Sequence, residues 1–142
     1  MILDTTYLLP LARISIDTDL LGAIAKGQAN LELEDITVSL ISIFELQAKA
    51  AKLMIPAEFT VKAVEAAFTA FRVEPFYEPK IIETSYEMRK IIPDYVDCVI
   101  VATAAVMKED LVTEDSIILK NTEIIQKKHG IKVLSFIDLA RP

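Results

Sequence analysis

The chain has 142 residues, 53% of them hydrophobic, and a formal net charge of −6. That length suits a single domain, 1–142, whose core needs no staples, and the composition excludes a disordered tail. One cysteine and one histidine exclude an internal disulfide and a zinc cage of four N or S ligands, and the acidic balance weighs against binding nucleic acid through bulk positive charge.

Met1 to Leu3 is a short apolar run stopping at Asp4, the pattern of a buried strand closed by an acid. A helix is predicted from Thr5, ended or kinked by Pro10, and a second over Asp17 to Lys26, stopped by Gly27. Ile36 to Ile41 is β-rich and predicts strand two. Ser42 with Glu45 three residues on matches a capping box, so a helix is expected from there to about Met54. Pro56 breaks it, and a further helix is expected over Ala57 to Phe71.

Arg72 to Phe76 predicts strand three, and Pro79 opens a helix to about Ile91. Asp94 then caps a helix over Tyr95 to Met107, apolar nearly all round and therefore a core helix. Leu111 to Thr113 and Ile131 to Leu134 predict strands four and five, and Ser135 with Asp138 forms a last capping box. Strands separated by helices imply an α/β fold: a three-layer α/β/α sandwich around a mostly parallel sheet of about five strands. The opening residues lack a basic leader, and the longest uncharged apolar runs, Ile36 to Phe44 and Cys98 to Met107, are too short to span a bilayer. A cytoplasmic protein with no membrane partner is expected.

Ligands of open α/β sheets bind beyond the carboxyl ends of the strands. Asp4 follows strand one, Glu45 lies after strand two in the first turn of its helix, and Asp115 follows strand four. Asp97 opens the helix that runs antiparallel into strand four, which puts it on the same rim. Each carboxylate is embedded in apolar sequence, where an unpaired charge is costly, and an all-oxygen cluster favours Mg²⁺ or Mn²⁺. Structural duties compete: Glu45 as a capping-box residue, Asp97 as a helix-dipole charge, Asp115 as a turn residue. Asp4 has no evident one.

These segments resemble the PIN domain family. Met1-Ile2-Leu3-Asp4-Thr5-Thr6 is similar to its opening, and Ser39 to Leu46 resembles the motif around its glutamate. Asp97-Cys98-Val99-Ile100-Val101-Ala102 is close to its third motif, and Leu111-Val112-Thr113-Glu114-Asp115 to its fourth. The motifs stand in family order. The resemblance implies a Mg²⁺- or Mn²⁺-dependent endoribonuclease acting on single-stranded RNA, with Asp4, Glu45, Asp97 and Asp115 as metal-site acids and Thr113 as a helper. Many small proteins of this kind, the VapC-like group, are toxins held in check by an antitoxin, so an antitoxin is a candidate partner. Asp94 is a candidate extra ligand, and Glu114 competes with Asp115.

Lys49 lies one helical turn after Glu45, placed either to contact phosphate or to pair with Glu45. Tyr7 and Tyr95 neighbour the motifs, with packing preferred to base stacking. Cys98 is expected to be a buried inert thiol and His129 a helix cap. Apolar faces carrying Phe68, Phe71 and Tyr86 predict either sheet coverage or a homodimer. The rival function is a non-catalytic binding module of the same fold. A phosphatase is disfavoured, because Asp4-Thr5-Thr6 lacks a second acid two residues on.

Overall fold

A computed structural model describes residues 1–142. Five strands, β1 (Ile2–Leu3), β2 (Thr37–Ser39), β3 (Arg72–Glu74), β4 (Leu111–Val112) and β5 (Val133–Leu134), form one sheet in the order β3-β2-β1-β4-β5. Every neighbouring pair is parallel, with Ile2 opposite both Thr37 and Leu111. Helices α1 (Leu20–Ala25), α2 (Leu40–Lys52) and α3 (Ala57–Ala70) precede β3. Helices α4 (Pro79–Met88), α5 (Tyr95–Met107), α6 (Ser116–Lys120), α7 (Thr122–His129) and α8 (Phe136–Leu139) follow it.

Strand alternation divides the core between the two faces of the sheet. Leu3, Val38 and Val112 pack with Tyr7, Leu8, Ile43, Leu46 and Ala67. Ile2, Leu111 and Val133 pack with Ile100, Val101, Ile118 and Ile125 from α5, α6 and α7. The three-layer sandwich is therefore present. Cys98 to Ala105 are all buried, as an all-round apolar helix requires.

Several element boundaries differ from expectation, for local reasons. Thr5–Ala12 is a 3-10 helix that holds Pro10 inside it and ends in left-handed Arg13. The predicted capping box at Ser42 does not form. Ser39 caps α2 instead, accepting from Ile41 N at 3.3 Å, because β2 ends there. Ser42 is thus buried inside the helix, and Glu45 stands in its second turn rather than its first. Helix α1 starts only at Leu20, capped by Asp19 through Gly22 N. Helix α4 stops at Met88, three residues early. His129 ends α7 but does not cap it: Gly130 supplies the left-handed residue, and Nε2 of His129 is buried without a partner. The box at Ser135 and Asp138 does form.

The chain leaves β1 for β2 and β3 on one side and returns to β4 on the other. The direction of strand order therefore reverses between β1 and β4, and it is beyond the carboxyl ends of such strands that open α/β sheets form their ligand crevice. Ile100 is fully buried between α5 and the sheet. Ile100→Ala is expected to cost about 2–5 kcal/mol in urea unfolding, whereas Ile137→Ala, 81% exposed, should stay within about 0.5 kcal/mol. Equal costs would contradict this assignment of the core.

Candidate metal centre

Asp4 leaves β1 at the crevice, where its own N–H still donates to Val112 O at 3.0 Å. The ladder therefore positions its backbone directly. Its side chain is 6% exposed. Oδ1 accepts from Thr5 N at 2.7 Å, capping the 3-10 helix, and Oδ2 accepts from the Thr113 hydroxyl at 2.6 Å. Asp4 thus has the structural duty that its sequence position did not reveal. Burial raises its pKa above the ordinary carboxylate range and the Glu45 charge adds to this, while Thr113, Thr5 and the Lys49 charge oppose it.

Thr113 follows β4 and is fully buried. Its N–H extends the ladder to Leu134 O at 2.9 Å. Its hydroxyl donates to Asp4 and accepts from Asp115 N at 3.0 Å, so one oxygen sets two acidic residues. Asp115 caps α6, Oδ1 accepting from Ile117 N and Ile118 N, both at 2.9 Å. Its Oδ2 has no such partner.

Asp97 sits in the first turn of α5, and Asp94 caps that helix, accepting from Asp97 N at 3.2 Å. The Asp97 carboxyl is pushed up to about 7, first by burial, then by the charges of Asp4, Asp94, Asp115 and Glu45. Side chains from four separate segments therefore act on one carboxyl. Asp94 belongs to this group by its charge, though it is exposed.

Glu114 is not among the charges that act most on Asp97. Its Oε2 accepts from the Tyr7 hydroxyl at 2.8 Å and from Phe136 N at 3.1 Å, tying the 3-10 helix and α8 to the end of β4. A buried tyrosine hydroxyl needs a partner. That signal was present at Tyr7, but nothing in the sequence pointed to Glu114 as the acceptor. Tyr7 is fully buried, so it packs and cannot stack on a base. Cys98 is likewise buried, its thiol raised to about 11 mainly by burial.

The chain forms four ion pairs, and none includes Asp4, Glu45, Asp94, Asp97 or Asp115. Lys49 therefore does not pair with Glu45; its charge acts on Asp4 instead. As they stand, no three of the acids are grouped so as to hold a metal ion, and Oδ1 of Asp4, Asp94 and Asp115 accepts from helix-capping amides. The donor chemistry nevertheless fits a hard divalent cation: the acids offer only oxygen, and their mutual repulsion lacks a neutralising contact. Two buried hydroxyls without partners, Thr5 Oγ1 and Ser42 Oγ, stand beside Asp4 and one helical turn before Glu45.

Residues 1–124 match the family model of the PIN domain. No curated protein matches. Among solved structures, FitAcB from Neisseria gonorrhoeae is similar at 21% identity, with 96% of this chain and 97% of that one covered and a TM-score of 0.64. VapBC2 from Rickettsia felis, solved bound to a DNA fragment from its promoter, is similar at 19% identity, with 94% and 96% covered and a TM-score of 0.65. A toxin–antitoxin complex from Klebsiella pneumoniae is similar at 21% identity over 81% and 86%, with a TM-score of 0.58. At these identities the likeness shows the fold.

The raised Asp97 pKa has a consequence for stability. Between the ordinary carboxylate range and about pH 7 the folded chain keeps a proton that the unfolded chain has lost. The stability this confers is complete below the unfolded value and is lost as pH rises through about 7. Asp97→Asn should therefore raise the metal-free Tm relative to the native chain progressively more from about pH 4 to about pH 8. A pH-independent difference would contradict the clustering.

Proposed function

The chain belongs to the PIN domain family, and on that premise we propose that it is a Mg²⁺- or Mn²⁺-dependent endoribonuclease. The observation that carries this is the Asp97 carboxyl, which feels four other carboxylates from three further segments and its own helix cap with no ion pair to offset them. A shared divalent cation removes that repulsion.

In this reading Asp4, Asp97 and Asp115 hold the ion directly or through water, and Asp94 is the additional donor at the α5 terminus. Glu45 orients the attacking water and accepts its proton. Thr113 keeps Asp4 turned toward the crevice. Lys49 receives a non-bridging oxygen of the scissile phosphate. The ion, when bound, acidifies water and stabilises charge on the phosphate.

The toxin role and an antitoxin partner belong to the same proposal. One solved structure to which this chain is similar is a toxin–antitoxin complex. Between α2 and α3 the chain presents a groove of about 470 Å³ lined by Leu40, Phe44, Val64, Phe68 and Phe76. Phe68 is 52% exposed, whereas Phe71, expected on the same face, is buried at 7% and covers the sheet. A homodimer would draw on this exposed apolar surface as well. A cytoplasmic setting accords with the reading, and no helix is long and apolar enough to cross a membrane. The net charge of −6 favours the rival, a non-catalytic module in which the acids serve as caps.

Single-stranded RNA incubated with Mn²⁺ separates the two. Asp4→Asn and Asp97→Asn should each lower cleavage on the order of 10²-fold or more with circular dichroism unchanged. Thr113→Val, which releases Asp4 without removing a charge, should lower it about 10–100-fold. Equal cleavage by native and variant chains rejects this site. Metal binding without cleavage of varied RNAs establishes the binding module.

A further inference from the structure

Beside the acidic crevice lies a second feature with its own chemistry. Tyr86 on α4 and Tyr95, the first residue of α5, stand edge to face with ring centroids 5.9 Å apart. They are 68% and 42% exposed. With Arg89 they line an open surface hollow of about 430 Å³. Arg89 lies three residues after Tyr86, and its Nη1 donates to Pro93 O, which anchors the guanidinium between α4 and α5. It makes no ion pair with any carboxylate. Its charge is felt at Cys98, next to Asp97.

We propose that Tyr86, Tyr95 and Arg89 form a nucleotide subsite that stacks an unpaired base of single-stranded RNA and holds the adjoining phosphate. This rests on the nuclease reading for its substrate and goes beyond it in naming where the strand is gripped. Tyr95 lies between Asp94 and Asp97 in sequence, so a strand engaged at the acids reaches the tyrosines within a short span. A bare aromatic face accepts any base, but only one that has left its helical stack. The acidic crevice repels phosphate, and a strand crossing it needs cations on either side. Lys49 acts on Asp4 at one side, and Arg89 stands at the α5 side. An exposed tyrosine pair with a free guanidinium supplies both stacking and charge, which a purely apolar protein contact does not require.

The test uses the full chain with Ca²⁺ and a fluorescein-labelled single-stranded RNA of mixed sequence, read by anisotropy against a duplex of the same sequence. The Tyr86→Ala/Tyr95→Ala chain should bind the single strand about 5- to 150-fold more weakly, which corresponds to about 1–3 kcal/mol. Tyr86→Phe/Tyr95→Phe should retain affinity, and duplex binding should not change. Arg89→Ala should flatten the salt dependence of single-strand binding. Thermal unfolding verifies that each variant is folded. Unchanged affinity of the alanine chain overturns the subsite, even where Mn²⁺-dependent cleavage persists and the nuclease reading stands. Tyrosine-dependent binding without cleavage in Mn²⁺ upholds the subsite and sinks the nuclease reading instead. A dimer that becomes monomeric in the alanine chain, with affinity unchanged, assigns the pair to a protein interface and overturns the subsite.

Discussion

Mutual repulsion among carboxylates at one sheet edge is the constraint on which the rest of this structure depends. Asp4, Glu45, Asp94, Asp97 and Asp115 reach that edge from β1, α2, the α5 terminus and β4, and the other four act on the Asp97 carboxyl. Like charges so placed are unfavourable in a half-buried setting. They are held there because each backbone is committed elsewhere. The ladder pins Asp4 and Thr113, and helix caps pin Asp94 and Asp115. The fold imposes the proximity, and the charges do not select it.

In the proposed reading the same groups would serve structure and chemistry together, since acting as a cap does not prevent a carboxylate from acting as a ligand. Asp115 caps α6 with Oδ1 and leaves Oδ2 free. Asp4 caps the 3-10 helix and is held by Thr113. A carboxylate has two oxygens and about four acceptor positions, so a cap consumes only part of its capacity. It also fixes the rotamer, which lowers the entropic cost of ordering a ligand set. Glu114 likewise uses one oxygen for two donors, Tyr7 and Phe136, and so ties three elements together.

Net charge and local charge have to be separated in this chain. A balance of −6 opposes long-range capture of a polyanion. In the proposed reading the cations that a strand would meet are few and placed individually, Lys49 on α2 and Arg89 after α4. Such an arrangement would give weak, position-dependent attraction to a strand in place of broad electrostatic binding. Exposed aromatic rings then contribute where charge does not, since stacking is indifferent to the sign of the surrounding field.

Where several of the candidate acids stand in the fold was legible from the order of residues alone. An apolar run ending in an acid marks the carboxyl end of a buried strand, as at Asp4; Asp115 comes three residues after β4, and Asp94 is marked instead as the cap before an all-apolar α5. These are local signals, written within a few residues by strand burial and helix capping. Ser42 misled because Ser39 offered a second cap three residues earlier, and only the end of β2, set by its pairing with β1 and β3, decides between them. Tyr7 with Glu114, Lys49 with Asp4 and Tyr86 with Tyr95 were beyond reach of the sequence. Their partners lie far apart in the chain or on different helices, and parallel strand order with helix packing alone determines which distant side chains meet.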